Sequence, residues 1–141
     1  MLISDILRFK GSEVVTIAPG ASVTTLLAEL ADHNIGALVV RREGKVVGIV
    51  SERDIVRRLH DRGHEVLDAT VEQIMTTNVI ACAPSDQVDQ VANAMTDKRV
   101  RHLPVVDGEE LVGIVTIGDV VLSRTRQLEQ DRLQLEQYIT G

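Results

Sequence analysis

Two stretches of the chain carry the same chemistry-bearing pattern, Gly48-Ile49-Val50-Ser51-Glu52-Arg53-Asp54 and Gly113-Ile114-Val115-Thr116-Ile117-Gly118-Asp119. In each, an apolar run ends in a hydroxyl residue, two spacers follow, and an aspartate stands where a helix would begin. The plain reading is a capping box, in which the hydroxyl accepts from the amide three residues on and the acid reaches back. A second reading is compatible with the first. A helix N-terminus at the end of a strand offers free amides and the positive end of its dipole to an anion such as phosphate. The two oxygens of a carboxylate placed there can accept hydrogen bonds from vicinal hydroxyls, as on a ribose. From the residues alone, both readings stay open.

Charged residues distinguish the two copies. The second is preceded by Lys98-Arg99-Val100-Arg101-His102-Leu103-Pro104, a basic run entering an apolar strand. Lys98 and Arg99 read as a solvated turn, whereas Arg101 and His102 stand where their heads can reach a phosphate. The first copy has Gly36-Ala37 at the corresponding place, and Arg53 there faces Gly118 in the second. The two sites should therefore differ in charge.

Bulk properties narrow the function classes. The net charge of −6 argues against a general nucleic-acid binder, which needs a basic face. With one Phe, one Tyr and no Trp, the chain also lacks stacking platforms and must build an aliphatic core. Cys82 is the single cysteine, which fits a reducing cytoplasm and a buried thiol in the run Val79-Ile80-Ala81-Cys82. No stretch is apolar for the ~20 residues of a membrane span. No nucleophile–base pair or metal constellation stands out. His60 and His64 are four apart, but Gly63 between them should end the helix, so neither a catalytic nor a metal role is expected.

An internal repeat positions the motifs. At an offset of 65 residues Val14 falls on Val79, Pro19 on Pro84, Leu38 on Leu103, Gly48 on Gly113 and Asp54 on Asp119, without a gap from 14 to 56. Each copy reads as βαββα. A short strand (Val14 to Ile17; Val79 to Cys82) precedes a helix, with Ser22 as cap in the first copy and Ser85-Asp86 leading in the second. Two strands joined by a tight turn follow (Ala37 to Arg41 and Val46 to Val50; His102 to Val106 and Leu111 to Val115), then a helix from near Asp54 or Asp119. The expected division is 1–63 for the first repeat, 64–71 for a linker, 72–123 for the second repeat and 124–141 for a helical extension. The fold class is α+β (of α/β type), with two repeats about a pseudo-twofold axis, sheets packed together and helices outside. The seam between them is the expected place for a ligand.

The chain resembles a tandem CBS (cystathionine-β-synthase) domain pair, the Bateman module. The residues that carry the resemblance are the two Gly-Ile-Val-(Ser/Thr)-x-x-Asp motifs, Ile74-Met75-Thr76, and Arg101-His102-Leu103-Pro104-Val105-Val106-Asp107. The trailing Gln134-Leu135-Glu136-Gln137-Tyr138-Ile139 is similar to the tail of small stand-alone bacterial members. The resemblance implies a regulatory module that binds an adenosyl ligand such as AMP, ADP, ATP, S-adenosylmethionine or NAD(H). It implies ribose contacts from Asp54 and Asp119, and phosphate contacts from Ser51, Thr116, Arg101 and His102; Arg53, by its charge in the first copy, is a further candidate for phosphate. Contacts to the base would come from near Thr16, Ala37, Ala81 and Pro104. It further implies a homodimer; with the bulk properties above, the expectation is a cytoplasmic sensor that passes its ligand state to a protein partner, with no nucleic-acid or membrane role. The alternative is a structural dimerisation module without ligand.

Overall fold

The structure, a computed structural model, describes residues 1–140; Gly141, at the end of the expected extension, lies outside the described residues. After a helix α1 (Ile3–Lys10), the first repeat runs β1 (Thr16–Ile17), α2 (Val23–His33), β2 (Ala37–Arg42), β3 (Lys45–Ser51) and α3 (Glu52–Arg62). A 3-10 turn (Gly63–Asp68) and a single-turn helix α4 (Val71–Ile74) lead to the second repeat: α5 (Val88–Lys98), β4 (His102–Asp107), β5 (Glu110–Thr116) and α6 (Ile117–Thr140).

Local chemistry explains these boundaries. The Ser22 hydroxyl accepts from the Thr25 amide at 3.1 Å and starts α2, whose Val23, Leu26 and Leu30 are buried on one face. The β2–β3 hairpin turns through Glu43 and Gly44, both at positive φ (52° and 79°), the conformation a two-residue turn between twisted strands requires. The helix α3 stops before Gly63, also at positive φ. No such stop follows the second repeat, and α6 continues for 24 residues.

The two hairpins share one register. Ala37 pairs with Ser51 and His102 with Thr116, and both ladders shift at matching points, Val40/Arg41 and Val105/Val106. The first strand of each copy differs from expectation. In the first repeat, expected from Val14, it is only Thr16–Ile17, parallel to β2. In the second, Val79 to Cys82 forms no strand and touches β4 through one bridge, Cys82 to Val105. Proline is the reason. Pro104 accepts from the Cys82 amide (3.0 Å), and Val106 donates back to Cys82 (2.8 Å), but Pro104 has no N–H with which to extend the ladder toward Ile80. The matching position in the first repeat is Val39, which pairs with Thr16.

The cores exchange segments. Ile3 and Ile6 of α1 are buried with Val88, Val91, Met95, Leu103 and Val115 of the second repeat. Val71 and Ile74 of α4 are buried with Val23, Leu26, Leu38 and Val50 of the first. The backbone docks each segment in the same way: the Ile3 amide donates to Asp86 and that of Ser4 to Pro84, while Val71 donates to Ala21 and Glu72 to Pro19. Glycine makes room for both. A Cβ on Gly113 would lie 2.6 Å from Leu7 Cδ2, and one on Gly48 would lie 2.6 Å from Met75 Sδ. This reciprocity, with contact between β3 and β5, gives the pair its pseudo-twofold form.

Ile6 precedes β1 of the first repeat in sequence but sits in the core of the second repeat. Ile6→Ala is therefore expected to cost about 2–4 kcal/mol in urea unfolding, whereas Arg8→Ala, on the exposed face of the same helix, should change stability by less than about 0.5 kcal/mol.

Candidate functional site

Both strand-to-helix junctions are closed by the capping geometry their spacing suggests. In the first, the Ser51 amide donates to Asp54 Oδ2 at 2.8 Å, and the Asp54 amide reaches Ser51 Oγ at 3.4 Å. In the second, the Thr116 amide donates to Asp119 Oδ2 at 2.9 Å, and the Asp119 amide to Thr116 Oγ1 at 3.1 Å. The caps are alike. Their surroundings are not.

The first junction opens on a cavity of about 390 Å³, within the size range of small-molecule sites. Ser51, Asp54 and Ala37 line one side, together with Arg53 and Arg57, which are one turn apart on α3. The second repeat supplies the other side with Lys98, Arg99, Arg101 and His102 at the end of α5 and the start of β4. Asn78 and Ile80, in the crossing between repeats, complete the wall. Five cations thus face the cavity against the two acids Glu52 and Asp54. Clustered cations of this kind suit a phosphate, and the arginines suit it bidentately. A second cavity of about 510 Å³ shares Arg53, Arg57, Arg99 and Arg101 with the first.

Arg99 holds an unusual backbone position. It caps α5 in the left-handed region (φ 54°, ψ 41°), where Asn34 caps α2 in the first repeat (φ 53°). Asparagine adopts this conformation readily; for arginine it costs roughly 1–2 kcal/mol. The Arg99 carbonyl accepts from Arg53 Nη1 at 3.4 Å, linking the basic residues of the two repeats.

His102 is half-buried beside Gly36, where a Cβ would come within 3.4 Å of its ring. Burial lowers its pKa from the ordinary 6.5; Arg101 and Lys10 also lower it, while Glu52 and Asp119 act in the opposite direction. Cys82 is buried, and its thiol is pushed up to about 12 by burial and then by Asp86, so it is no thiolate nucleophile.

Of the residues singled out in the sequence, Ser51, Arg53, Asp54, Ala37, Arg101 and His102 share one cavity. Thr116 and Asp119 form the other junction and do not line it. Neither do Thr16 in β1, Pro104 buried in β4, or Ala81, which is exposed while its neighbour Ile80 faces the cavity. Arg57 and Asn78 also line the cavity, as do Lys98 and Arg99, which the sequence pattern assigns to a solvated turn. Arg57 was signalled by its i,i+4 spacing from Arg53. Asn78 carried no signal. No helix among the described residues is long and apolar enough to cross a membrane.

A family model for the CBS domain matches residues 3–61 and again 71–124. The chain belongs to the CBS domain family. This CBS pair is 32% identical to the CBS domain-containing protein CBSX3, mitochondrial, of Arabidopsis thaliana, over 99% of this chain and 72% of that protein. The CBS-domain protein ATU1752 of Agrobacterium tumefaciens superposes with a TM-score of 0.86 at 40% identity, covering 88% of this chain and 99% of that one. The CBS domain pair of MJ0100, solved in complex with 5′-methylthioadenosine and S-adenosyl-L-methionine, gives 0.80 at 33% identity, covering 90% and 98%.

His102 ties stability to pH. With its folded pKa lowered, the native state binds fewer protons than the unfolded chain, so this contribution is present above about pH 6.5 and is lost as pH falls through the folded value. Urea unfolding at about pH 7.5 and about pH 5 should show a larger acid loss for the wild type than for His102→Gln.

Proposed function

We propose that the protein is an adenine-nucleotide sensor without catalytic activity of its own, in which the cavity at Ser51 and Asp54 holds the ligand. One observation carries the reading: a strand-to-helix junction with a hydroxyl and a carboxylate opens on the same space as five cations drawn from both repeats. In this reading Asp54 takes the ribose hydroxyls. Its Oδ2 accepts from the Ser51 amide and hydroxyl, and its Oδ1 has no protein donor among the described residues. The phosphates lie between the α3 N-terminus and Arg53, Arg57, Arg99 and Arg101, with His102 beside them. The base rests against Ala37 and Ile80. The complex of MJ0100 with adenosyl ligands supports this class of ligand. AMP, ATP and NAD(H) are the candidates, since each adds phosphate to the adenosyl group and the cations call for it.

A sensor needs a listener, and a partner must distinguish the filled from the empty state. We assign that role to a homodimer and a protein partner in the cytoplasm. A ligand-free dimerisation module is the second reading. It is favoured by Val56 on α3 and Val121 on α6, which occupy matching positions and are 63% and 57% exposed.

Calorimetric titration with AMP, ATP and NAD(H) separates the two. Binding by at least one is expected, weakened at least about tenfold (about 1.4 kcal/mol) by Asp54→Asn and by Arg57→Ala, and weakened further by salt. A protein that gives neither heat nor thermal shift with any of them at millimolar concentration, yet sediments as a dimer, is the structural module.

A further inference from the structure

The two junctions have the same cap, but the second has a side chain of the protein already seated on its acid. Lys10, the last residue of α1, donates from Nζ to Asp119 Oδ2 at 2.7 Å and to the Ile114 carbonyl at 2.9 Å. Both side chains are sheltered, at 28% and 21% exposure, so the pair is less screened by water and salt than an open surface pair.

The first repeat shows why this cation is there. The carbonyl that matches Ile114 is that of Ile49, and it accepts from the backbone amide of Thr76 at 2.9 Å. After α4 the chain leaves the helix and runs alongside β3, bridging Ile49 to Thr76. The segment docked on the second repeat, α1, does not turn away in this manner. The helix α1 continues past Leu7, which matches Met75, to Lys10. A lysine side chain therefore satisfies the carbonyl that a backbone amide satisfies in the other repeat. It is long enough to bond the acid as well. Asp54 carries no such cation: its oxygens accept only from Ser51 among the described residues.

We propose that Lys10 closes the second cleft, so that each chain takes one nucleotide, at the Asp54 cavity. The inference rests on the nucleotide-sensor reading. A sugar hydroxyl arriving at Asp119 competes with a charge-assisted bond from an ammonium held in place by a docked helix, and it brings no charge with which to displace it. A phosphate arriving there meets neither the Arg53 and Arg57 pair, whose places are taken by Gly118 and Leu122, nor a cation released from its acid. Lys10 thus adds an occupied acid to the difference in charge that already sets the two related clefts apart.

Equilibrium dialysis with radiolabelled ATP, at saturation, reads the stoichiometry directly. The wild type is expected to take up one nucleotide per chain, and Lys10→Met two. The added site should vanish again in Lys10→Met combined with Asp119→Asn. Two nucleotides bound by the wild type, or one bound by a folded Lys10→Met protein and by Lys10→Gln as well, overturns the proposal and leaves the sensor reading intact. No uptake by any of these proteins removes both. A measurement without nucleotide tests the clasp itself: mass-spectrometric acylation of the three lysines, Lys10, Lys45 and Lys98, should find Lys10 slow in the wild type and faster in Asp119→Asn. Equal rates for Lys10 in the two proteins also overturn it.

Discussion

The exchange of docked segments between the repeats is the constraint from which the rest of the structure follows, because a single βαββα unit leaves one apolar edge of its core open. Val71 and Ile74 cover that edge in the first repeat, Ile3 and Ile6 in the second. The chain therefore has to cross from one core to the other before the second unit begins, and it does so beside β3. This crossing brings Asn78 and Ile80 to the seam and places the end of α5 opposite the start of α3. The packing is close at Gly48 and Gly113, where a Cβ would displace the Met75 side chain, beside the Thr76 carbonyl, or the end of Leu7. Each cap lies only a few residues beyond one of those glycines.

Charge is distributed by the same arrangement. The protein is acidic overall, yet Arg53, Arg57, Lys98, Arg99 and Arg101 converge on one face of the seam. No single element contributes more than a pair of the arginines. Concentrating them requires the pseudo-twofold meeting of α3 with the α5–β4 corner, and it brings repulsion between like charges that an anion would relieve. The left-handed backbone at Arg99 belongs to the same account. A residue that is poorly suited to its conformation persists where its side chain is placed among the other cations.

Much of this was legible in the residues. The offset of 65 exposed the repeat because Gly48 and Gly113 face closely packed neighbours, and Asp54 and Asp119 make the same cap. The hairpin turns and the cap residues follow from local chemistry, and local chemistry is what a sequence displays. The role of α1 was not legible. Ile3 matches Val71 at an offset of 68, so the single alignment that revealed the repeat steps over both docked segments. The strand expected at Val79 to Cys82 failed for a reason written 22 residues later, in the missing amide of Pro104, and only the pairing connects the two. Within the site, Ser51 and Asp54 announced themselves by type and spacing. Arg57, Lys98 and Arg99 did not, because their importance depends on which face of each helix meets the other repeat.

The helix α6 grows directly from the cap at Thr116 and Asp119 and runs for 24 residues, a rod of about 36 Å at 1.5 Å per residue. Its root is fixed by Val120 in the core, while Leu128, Leu135 and Tyr138 stand clear of it. A rod anchored at one end behaves as a pointer. A tilt of roughly 5° at the root carries its tip about 3 Å. A change of angle at the root would thus be read as a displacement at Thr140, by leverage alone.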